Sequence, residues 1–399
     1  MIRAGVCTRT SEGSLFQLRF AYFWDFTAVR QNLIRKKLTT KTTMYPSRIV
    51  MLTLVVLVLM ISGAHLCESE PITALKTVHP YSPNMNVSQG EIYALYYVQF
   101  LQLFKMNPFN ARPSPVGPPV TKGDQILAQQ QSDIDYKNQI FYTTTFNRTS
   151  NRVELLGLSL QSGLIVRRID MLVDARTPLV GLGQLVIVDQ NTGGVFVVGT
   201  TRQLQTQNKI VLLKVSPDFS QIVKLTEMTA FLASAGANGF DPVNHILWLD
   251  LYPTRSSPID YLYAFDGTTG QLWTQVENRY HMQTMEFDPM TGLMIGLGLV
   301  NAANNTYTRA LVTLDSVRFQ LLTGAVIEGN YFMIQAPLGP INVVSRKMYC
   351  MMQVNGATIN DPYDLLTIDL NHGRILHKVT LTPDVPIPWQ MQVFNKRWE

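Results

Sequence analysis

Residues 283–326 read QTMEFDPMTGLMIGLGLVNAANNTYTRALVTLDSVRFQLLTGAV. Four apolar runs, 284–287, 293–300, 310–314 and 320–326, are separated by Asp288-Pro-Met-Thr-Gly292, by an Asn-rich loop and by Asp315-Ser-Val-Arg318. Each gap carries turn chemistry: Asp and Asn side chains accept backbone N–H groups two or three residues on, and Gly takes left-handed backbone freely. The stretch therefore predicts a four-stranded antiparallel meander. A unit of this size has too little apolar surface to bury alone and must stack on copies of itself.

Two markers locate the copies. The first is the hairpin turn between the opening strands, at Asp135, Asp189, Asp241, Asp288 and, more weakly, Asn342, spaced 54, 52, 47 and 54 residues apart. The second is an apolar pair, a spacer, an apolar residue and Asp or Ser, ending at Ser159, Ser216, Asp266, Asp315 and Asp369. The offset between markers is 24, 27, 25, 27 and 27 residues, so they move in phase. The recurring Asp and Ser side chains are expected to accept backbone hydrogen bonds in their turns and carry no chemistry.

The chain has 399 residues, 46% hydrophobic and 15% charged, enough to bury a large core. Its net charge of +5 comes from residues 1–48, which hold nine Lys and Arg against two acidic residues; the remainder holds 24 against 26. No basic patch is implied for the folded part, which disfavours nucleic acid as a partner. Residues 49–61, IVMLTLVVLVLMI, form the one long apolar run. Thirteen residues are short of the ~20 that span a bilayer and suit the core of a secretory signal. Cleavage after Ala64 is expected, with Ser62 and Ala64 as the small residues, leaving no membrane attachment afterwards. The alternative is an uncleaved type II anchor through residues 49–66, its basic tail inside. The expected organisation is a basic extension (1–48), a hydrophobic signal (49–66), a leader (67–119) and a repeat domain (120–399). Residues 1–43, ahead of a signal that reads as complete from Met44, are unexplained and suggest a misassigned start.

Three sequons follow the signal, at Asn86, Asn147 and Asn304; the last two fall between the second and third strands of their units, so glycans would share one rim. Of three cysteines, Cys67 and Cys350 are the possible pair after cleavage; a buried strand thiol and an unrelated Cys is the equal alternative. No spacing suggests zinc, and no cofactor is expected.

In the leader, residues 91–106, EIYALYYVQFLQLFKM, read as a buried helix or two strands, with Tyr93, Tyr96, Tyr97, Val98 and Phe100 favouring strands. The Pro-rich connector after them is expected to lack regular structure. At the other end, residues 386–395 look like the opening strand of a further unit with no room for its partners. The apolar leader is available to complete it, which predicts one sheet assembled from both ends of the chain.

The pattern resembles the β-propeller superfamily, and the residues carrying the likeness are Asp241-Pro with Leu262-Tyr-Ala-Phe-Asp266-Gly-Thr-Thr-Gly270, and Leu365-Leu-Thr-Ile-Asp369 with Gly373. These are similar to YVTN and quinoprotein-like repeats, over about residues 125–395. The resemblance implies an all-β propeller of four-stranded blades, six favoured, five continuous and one split. The Gly-His and Trp-Asp signature of WD40 repeats is absent, as are ligand sets matching sugar-lactonase calcium or quinoprotein cofactor sites.

Catalytic motifs are few: no Gly-x-Ser-x-Gly, His-Glu-x-x-His or phosphate-binding loop occurs. His245 reads as a solvated turn residue. Glu277-Asn-Arg279-Tyr-His281 leads into an inner strand, where a propeller has its channel mouth, and Glu277, Arg279 and His281 could do acid–base chemistry. The plainer reading is a solvated loop with an internal Arg–Glu pair. Five residues before the first marker stand Gln130, Gln184, Gln283 and Gln390; Gln335 joins them if Pro340 takes the Asp place, and Gly236 breaks the series. A ring of amides at one mouth follows, either tying down backbone or presented to a polar ligand. The sequence thus favours a secreted, glycosylated module binding a polar ligand or protein partner, with a secreted propeller enzyme (hydrolase or oxidoreductase) as the alternative.

Overall fold

The computed structural model describes residues 91–394 except 98–99, 121–124, 128, 175–176, 204–207, 233–235, 255–256, 258, 303–305, 334–338, 355–356, 358–360, 383–386 and 389. The apolar run at 49–61, Cys67, Asn86, Asn304 and Gln335 lie outside the described residues. The chain divides at Thr77/Val78, and all that follows concerns the second unit, Val78–Glu399. Among the described residues every element is a strand, and no helix is long and apolar enough to cross a membrane.

The fold is a β-propeller whose sheets are antiparallel apart from one short parallel pair. The first sheet contains β1 (Glu91–Tyr97), β2 (Leu101–Met106) and β3 (Pro113–Pro115). The second holds β4 (Gln125–Leu127), β6 (Asp133–Asp135), β7 (Ile140–Asn147), β8 (Arg152–Ser159) and β9 (Ile165–Asp170), while β5 (Gln129–Gln131), between β4 and β6 in the chain, pairs in parallel with the first strand of the next sheet. Next come β10 (Val180–Val188), β11 (Val195–Gln203), β12 (Asn208–Val215) and β13 (Ile222–Leu232), then β14 (Gly239–Asp241), β15 (Ile246–Tyr252), β16 (Tyr261–Asp266) and β17 (Leu272–Glu277). The end of β13 also pairs β15, so these two groups form one continuous ladder. The opening stretch of the sequence gives β18 (Glu286–Asp288), β19 (Leu293–Ala302), β20 (Thr306–Asp315) and β21 (Gln320–Val326). Last are β22 (Tyr331–Met333), β23 (Ile341–Asn342), β24 (Lys347–Val354), β25 (Asp364–Asp369) and β26 (Ile375–Thr380). The final strand, β27 (Gln390–Phe394), returns to the first sheet and pairs β1 antiparallel from Glu91↔Phe394 to Leu95↔Gln390.

Alternation along each strand gives each sheet two apolar faces, and successive sheets share a core. Tyr142 and Leu155 meet Val186 and Val197; Ile187 and Phe196 meet Leu247 and Phe265; Trp248 and Leu262 meet Met294 and Val312. Ile295 and Leu311 then meet Cys350 and Leu366, and Tyr349 and Met351 meet Ile92, Met391 and Val393. Tyr93, Leu103 and Phe394 close the circuit on Phe141 and Leu158. Both faces of the split sheet are therefore core. Cys350 is a fully buried free thiol in this packing, and burial pushes its pKa up.

The in-phase markers are turns of one design. Asp135, Asp189, Asp241, Asp288 and Asn342 are all buried, and each accepts a backbone N–H two or three residues on, such as Asn244 N to Asp241 Oδ1 at 3.0 Å. Ser159, Asp266, Asp315 and Asp369 do the same in the second turn. Four residues after each first marker the backbone is left-handed, at Gln139, Gly193, His245, Gly292 and Arg346. Only two of those five are Gly, and a Cβ there costs about 1 kcal/mol. His245→Gly, at φ 56°, is accordingly expected to raise stability by about 1 kcal/mol, read as a higher denaturant midpoint at unchanged slope.

One expectation is corrected. The Pro-rich connector is not without regular structure: β3 pairs β2 through Phe104↔Pro115 and Met106↔Pro113 and forms the edge of the split sheet. Proline lacks an N–H to donate, which an edge position tolerates where an interior strand would not.

A candidate site on the loop face

The marker turns gather at one end of the sheets, the turn face. The loops between second and third strands, and the crossovers to the next sheet, lie at the other, the loop face. Asn147 is there, at the end of β7, its side chain accepting Thr149 N at 3.0 Å.

In four of the repeats the innermost strand is interrupted on its way from the loop face. β4 and β6 both pair β7; the end of β13 and β14 both pair β15; β22 and β23 both pair β24; within β10 the register shifts between Val180 and Leu185. Backbone groups that leave the ladder need other partners. Two glutamines of the series stand at these breaks. Gln130 lies in β5, its side chain outside the description, and Gln184 lies at the register shift, buried against the Gly199 position. Gln390 Oε1 accepts both N and Oγ of Ser132 at 3.2 Å. Gln283 Oε1 accepts Arg309 Nη1 at 2.6 Å, and burial brings that guanidinium down to about 10. The described glutamines thus have different partners, and Gln131, one residue beyond the predicted position, donates to Asn238 O at 3.0 Å.

From Asn238 a buried polar chain runs outward. Asn238 Oδ1 accepts Asp250 N at 2.9 Å, and Asp250 Oδ2 accepts Ala237 N at 3.3 Å and Asn278 Nδ2 at 3.0 Å. The same Nδ2 donates to Asp260 Oδ2 at 3.0 Å, while Asn278 Oδ1 accepts Met282 N at 2.8 Å. Asp260 Oδ1 faces His281 Nδ1 at 3.1 Å. Asn238, Asp250, Asp260 and Asn278 are buried, whereas the His281 side chain is 36% exposed. Burial, and next the charge of Asp260, push the Asp250 carboxyl well above the ordinary range, so Asp250 keeps its proton where an exposed aspartate has lost it.

The loop at 277–281 leaves Glu277 and Arg279 exposed, as its composition suggested, but these two form no ion pair with each other. Arg279 donates to Leu321 O at 2.7 Å and lies over the Tyr280 ring, Glu277 ends β17 in solvent, and His281 is held by Asp260. Asn278 holds the crossover in place, its amide bonding two carboxyls and a backbone N–H. In the other loop noted from sequence, Asp174 Oδ1 accepts Thr177 N at 2.8 Å, and Arg176 lies outside the described residues.

A second set of polar groups lies between the inner strands. Asp133 in β6 accepts Val188 N at 2.8 Å, and Tyr136 just beyond β6 donates to Glu286 Oε1 of β18 at 3.4 Å. Burial dominates both carboxyls: Asp133 is pushed up to about 7, and Glu286 is raised by burial and then by the charge of Asp133. Sequence reasoning missed Asp133, Asp250, Asp260, Asn278 and Glu286. The signal was there for two of them, since Asp250 interrupts the apolar run ILWLDLY and Glu286 interrupts TMEF. A charge inside a core strand has to be paired or neutralised.

No protein-family model matches the sequence, nor does any curated protein. Solved structures show distant likenesses. TolB from Acinetobacter baumannii is 8% identical over 77% of this chain and 67% of that one, with a TM-score of 0.47. Cobalt-substituted Synechocystis ACO is 13% identical over 75% and 71%, at 0.46, and the periplasmic gluconolactonase PpgL of Pseudomonas aeruginosa is 11% identical over 76% and 98%, at 0.44.

Proposed function

We propose that this chain is a secreted, glycosylated β-propeller of six blades that binds a polar ligand or protein partner on its loop face. The observation that carries the binding reading is the buried chain from Gln131 through Asn238, Asp250, Asn278 and Asp260 to the half-exposed ring of His281. Burying several polar side chains in sequence is costly, and their fixed geometry is what a recognition surface needs. The six-blade count takes the split sheet as one blade and follows the successive shared cores around the circuit.

Two variants separate amides that hold the fold from amides that meet a ligand. Gln283→Ala is expected to lose about 1–3 kcal/mol, because it strips an oxygen from the buried Arg309 guanidinium. Gln184→Ala is the informative one: unchanged melting with lost binding on an array of oligosaccharides and peptides supports the reading, and lost stability assigns Gln184 to the scaffold. Secretion is tested in a secretory host. The mature chain should begin at or just after His65 and carry sugar on Asn147 and Asn304, whereas an intact 1–48 segment on an unglycosylated cytosolic protein overturns it.

The second reading, a secreted enzyme at the channel mouth, is favoured by the pairing of His281 with the buried Asp260, an imidazole oriented by a carboxylate.

A further inference from the structure

We infer that a second copy of this chain docks on the outer rim of the propeller, along the neighbouring edges of β17 and β21, to form a two-fold symmetric dimer. The contact leaves the loop face free and does not depend on the binding reading above.

The outer strand of each sheet is an edge, and an edge with exposed apolar side chains pairs with other chains unless charges or prolines stand in it. Four edges carry that guard. In β9 the exposed Val166 is followed by Arg167 and Arg168, in β13 Val223 is followed by Lys224, in β26 Leu376 is followed by His377 and Lys378, and β3 holds Pro113 and Pro115. The remaining two are unguarded. They read LWTQVE in β17 and QLLTGAV in β21, with Glu277 at the end of β17 as their one charge. On them Leu272, Trp273, Leu322 and Val326 are 44, 45, 43 and 54% exposed. The two edges belong to successive sheets, and Val276 of β17 packs on the core that contains Leu321 of β21, so both lie on one stretch of rim. Uncharged apolar surface gathered in this way marks a place of contact.

The chemistry of the strip selects its partner. A charged surface docked there would have its own ions desolvated and unpaired. Among the described edges only β17 and β21 are free of both Lys or Arg and Pro, so the strip is its own best match. Like meeting like across a two-fold axis is the contact of most dimers. Copies also have little charge with which to repel one another: beyond residue 48 the chain holds 24 basic against 26 acidic residues. The nearest cations are engaged, Arg279 with Leu321 O at 2.7 Å and the Tyr280 ring, Arg318 with Asp315. Because Leu321 O is taken, the contact is made by side chains rather than by a continued ladder. Asn147 is on β7, three sheets along the circuit from β21, so sugar there leaves the strip open.

Sedimentation equilibrium of the protein from a secretory host should give a mass that rises with concentration toward twice that of one chain. Trp273→Lys combined with Leu322→Lys should weaken the association about 30-fold at the parental melting temperature, since both side chains are exposed in the single chain. Val166→Lys combined with Val223→Lys, on guarded edges, should leave it unchanged. If the first pair lowers the melting temperature, Gln275→Glu combined with Thr323→Glu repeats the test at exposed polar positions of the same two edges, where like charges would meet across the two-fold axis. A protein that stays one chain at every concentration overturns the inference, and so does an association that the strip variants leave intact or that the guarded-edge pair weakens equally.

Discussion

Removing residues 386–399 is expected to yield a chain that aggregates or is retained in the secretory pathway. β27 is the innermost strand of a sheet whose other members come from the opposite end of the described chain, and it bonds β1 along its whole length. Met391, Val393 and Phe394 are buried, in the cores on both faces of the split sheet. At about 1.5–3 kcal/mol for each fully buried side chain, their loss alone takes about 5–9 kcal/mol, comparable with the whole stability of a typical domain. Gln390 and Gln392 leave with the strand, and with them the partners of Ser132 N and O in the neighbouring sheet. The truncation also exposes β1 as a long apolar edge, the kind of surface on which chains pair. A truncated protein secreted at parental yield and melting cooperatively near the parental temperature would refute the structural role given to β27.

Acidification from pH 8 to pH 5 is expected to stabilise the fold. The Asp133 carboxyl sits at about 7 in the folded chain, while an unfolded aspartate titrates near ~3.9. Between those values the folded state holds a proton that the unfolded state has released. Stability is therefore full below the unfolded value and falls as pH rises through the folded one. Glu286 and Asp250 are raised in the same direction by burial and reinforce the slope. A tenfold difference in proton affinity between the folded and unfolded chain is worth about 1.4 kcal/mol, so the combined effect across this range is on the order of a few kcal/mol. The double variant Asp133→Asn, Glu286→Gln removes two of the three groups; it should melt higher than the parent at pH 8 and show a flatter pH profile. A parental profile that is flat from pH 5 to pH 8, or a double variant equally pH-dependent, contradicts the neutral state assigned to these carboxyls.

The architecture was legible because the turns need particular side chains. A carboxylate or amide at Asp135, Asp189, Asp241, Asp288 and Asn342 is what closes those hairpins, so the chemistry that folds each turn also prints the repeat in the sequence. The glycine that usually accompanies such a turn was a weaker guide. Gln139, His245 and Arg346 hold left-handed backbone in its place, and a buried Asp or Asn bond at the start of the turn suffices to hold them there. The edge strand β3 was hidden by its prolines, which read as a connector because sequence does not reveal that only one side of the strand has to bond.

The site was less legible for a physical reason. Its members are spaced by the fold: Asp250 lies near the end of one strand of the sheet, Asp260 precedes the next, and Asn278 and His281 lie on the crossover. Three of the candidate residues shared a loop in the sequence, yet the structure sends Glu277 to solvent, Arg279 to a backbone oxygen and only His281 to a carboxylate. The inner carboxyls had no repeat signal at all. Asp133 and Glu286 stand two residues before their turns, where other repeats place Ile187, Gly239 and Val393.

The joining of β1 to β27 also sets a schedule for synthesis. β1 ends at Tyr97 and its partner begins at Gln390, so roughly 290 residues are made between the two halves of one sheet. At about 5–20 residues per second that interval lasts roughly 15–60 seconds. Through that time Ile92 and Ala94, which pack against Tyr349, Met351, Met391 and Val393, have no permanent cover on that face. A ribosome-bound chain of this protein is an unfinished ring however many of its middle sheets have formed, and chaperone capture of residues 91–97 is the natural way for a cell to bridge the wait.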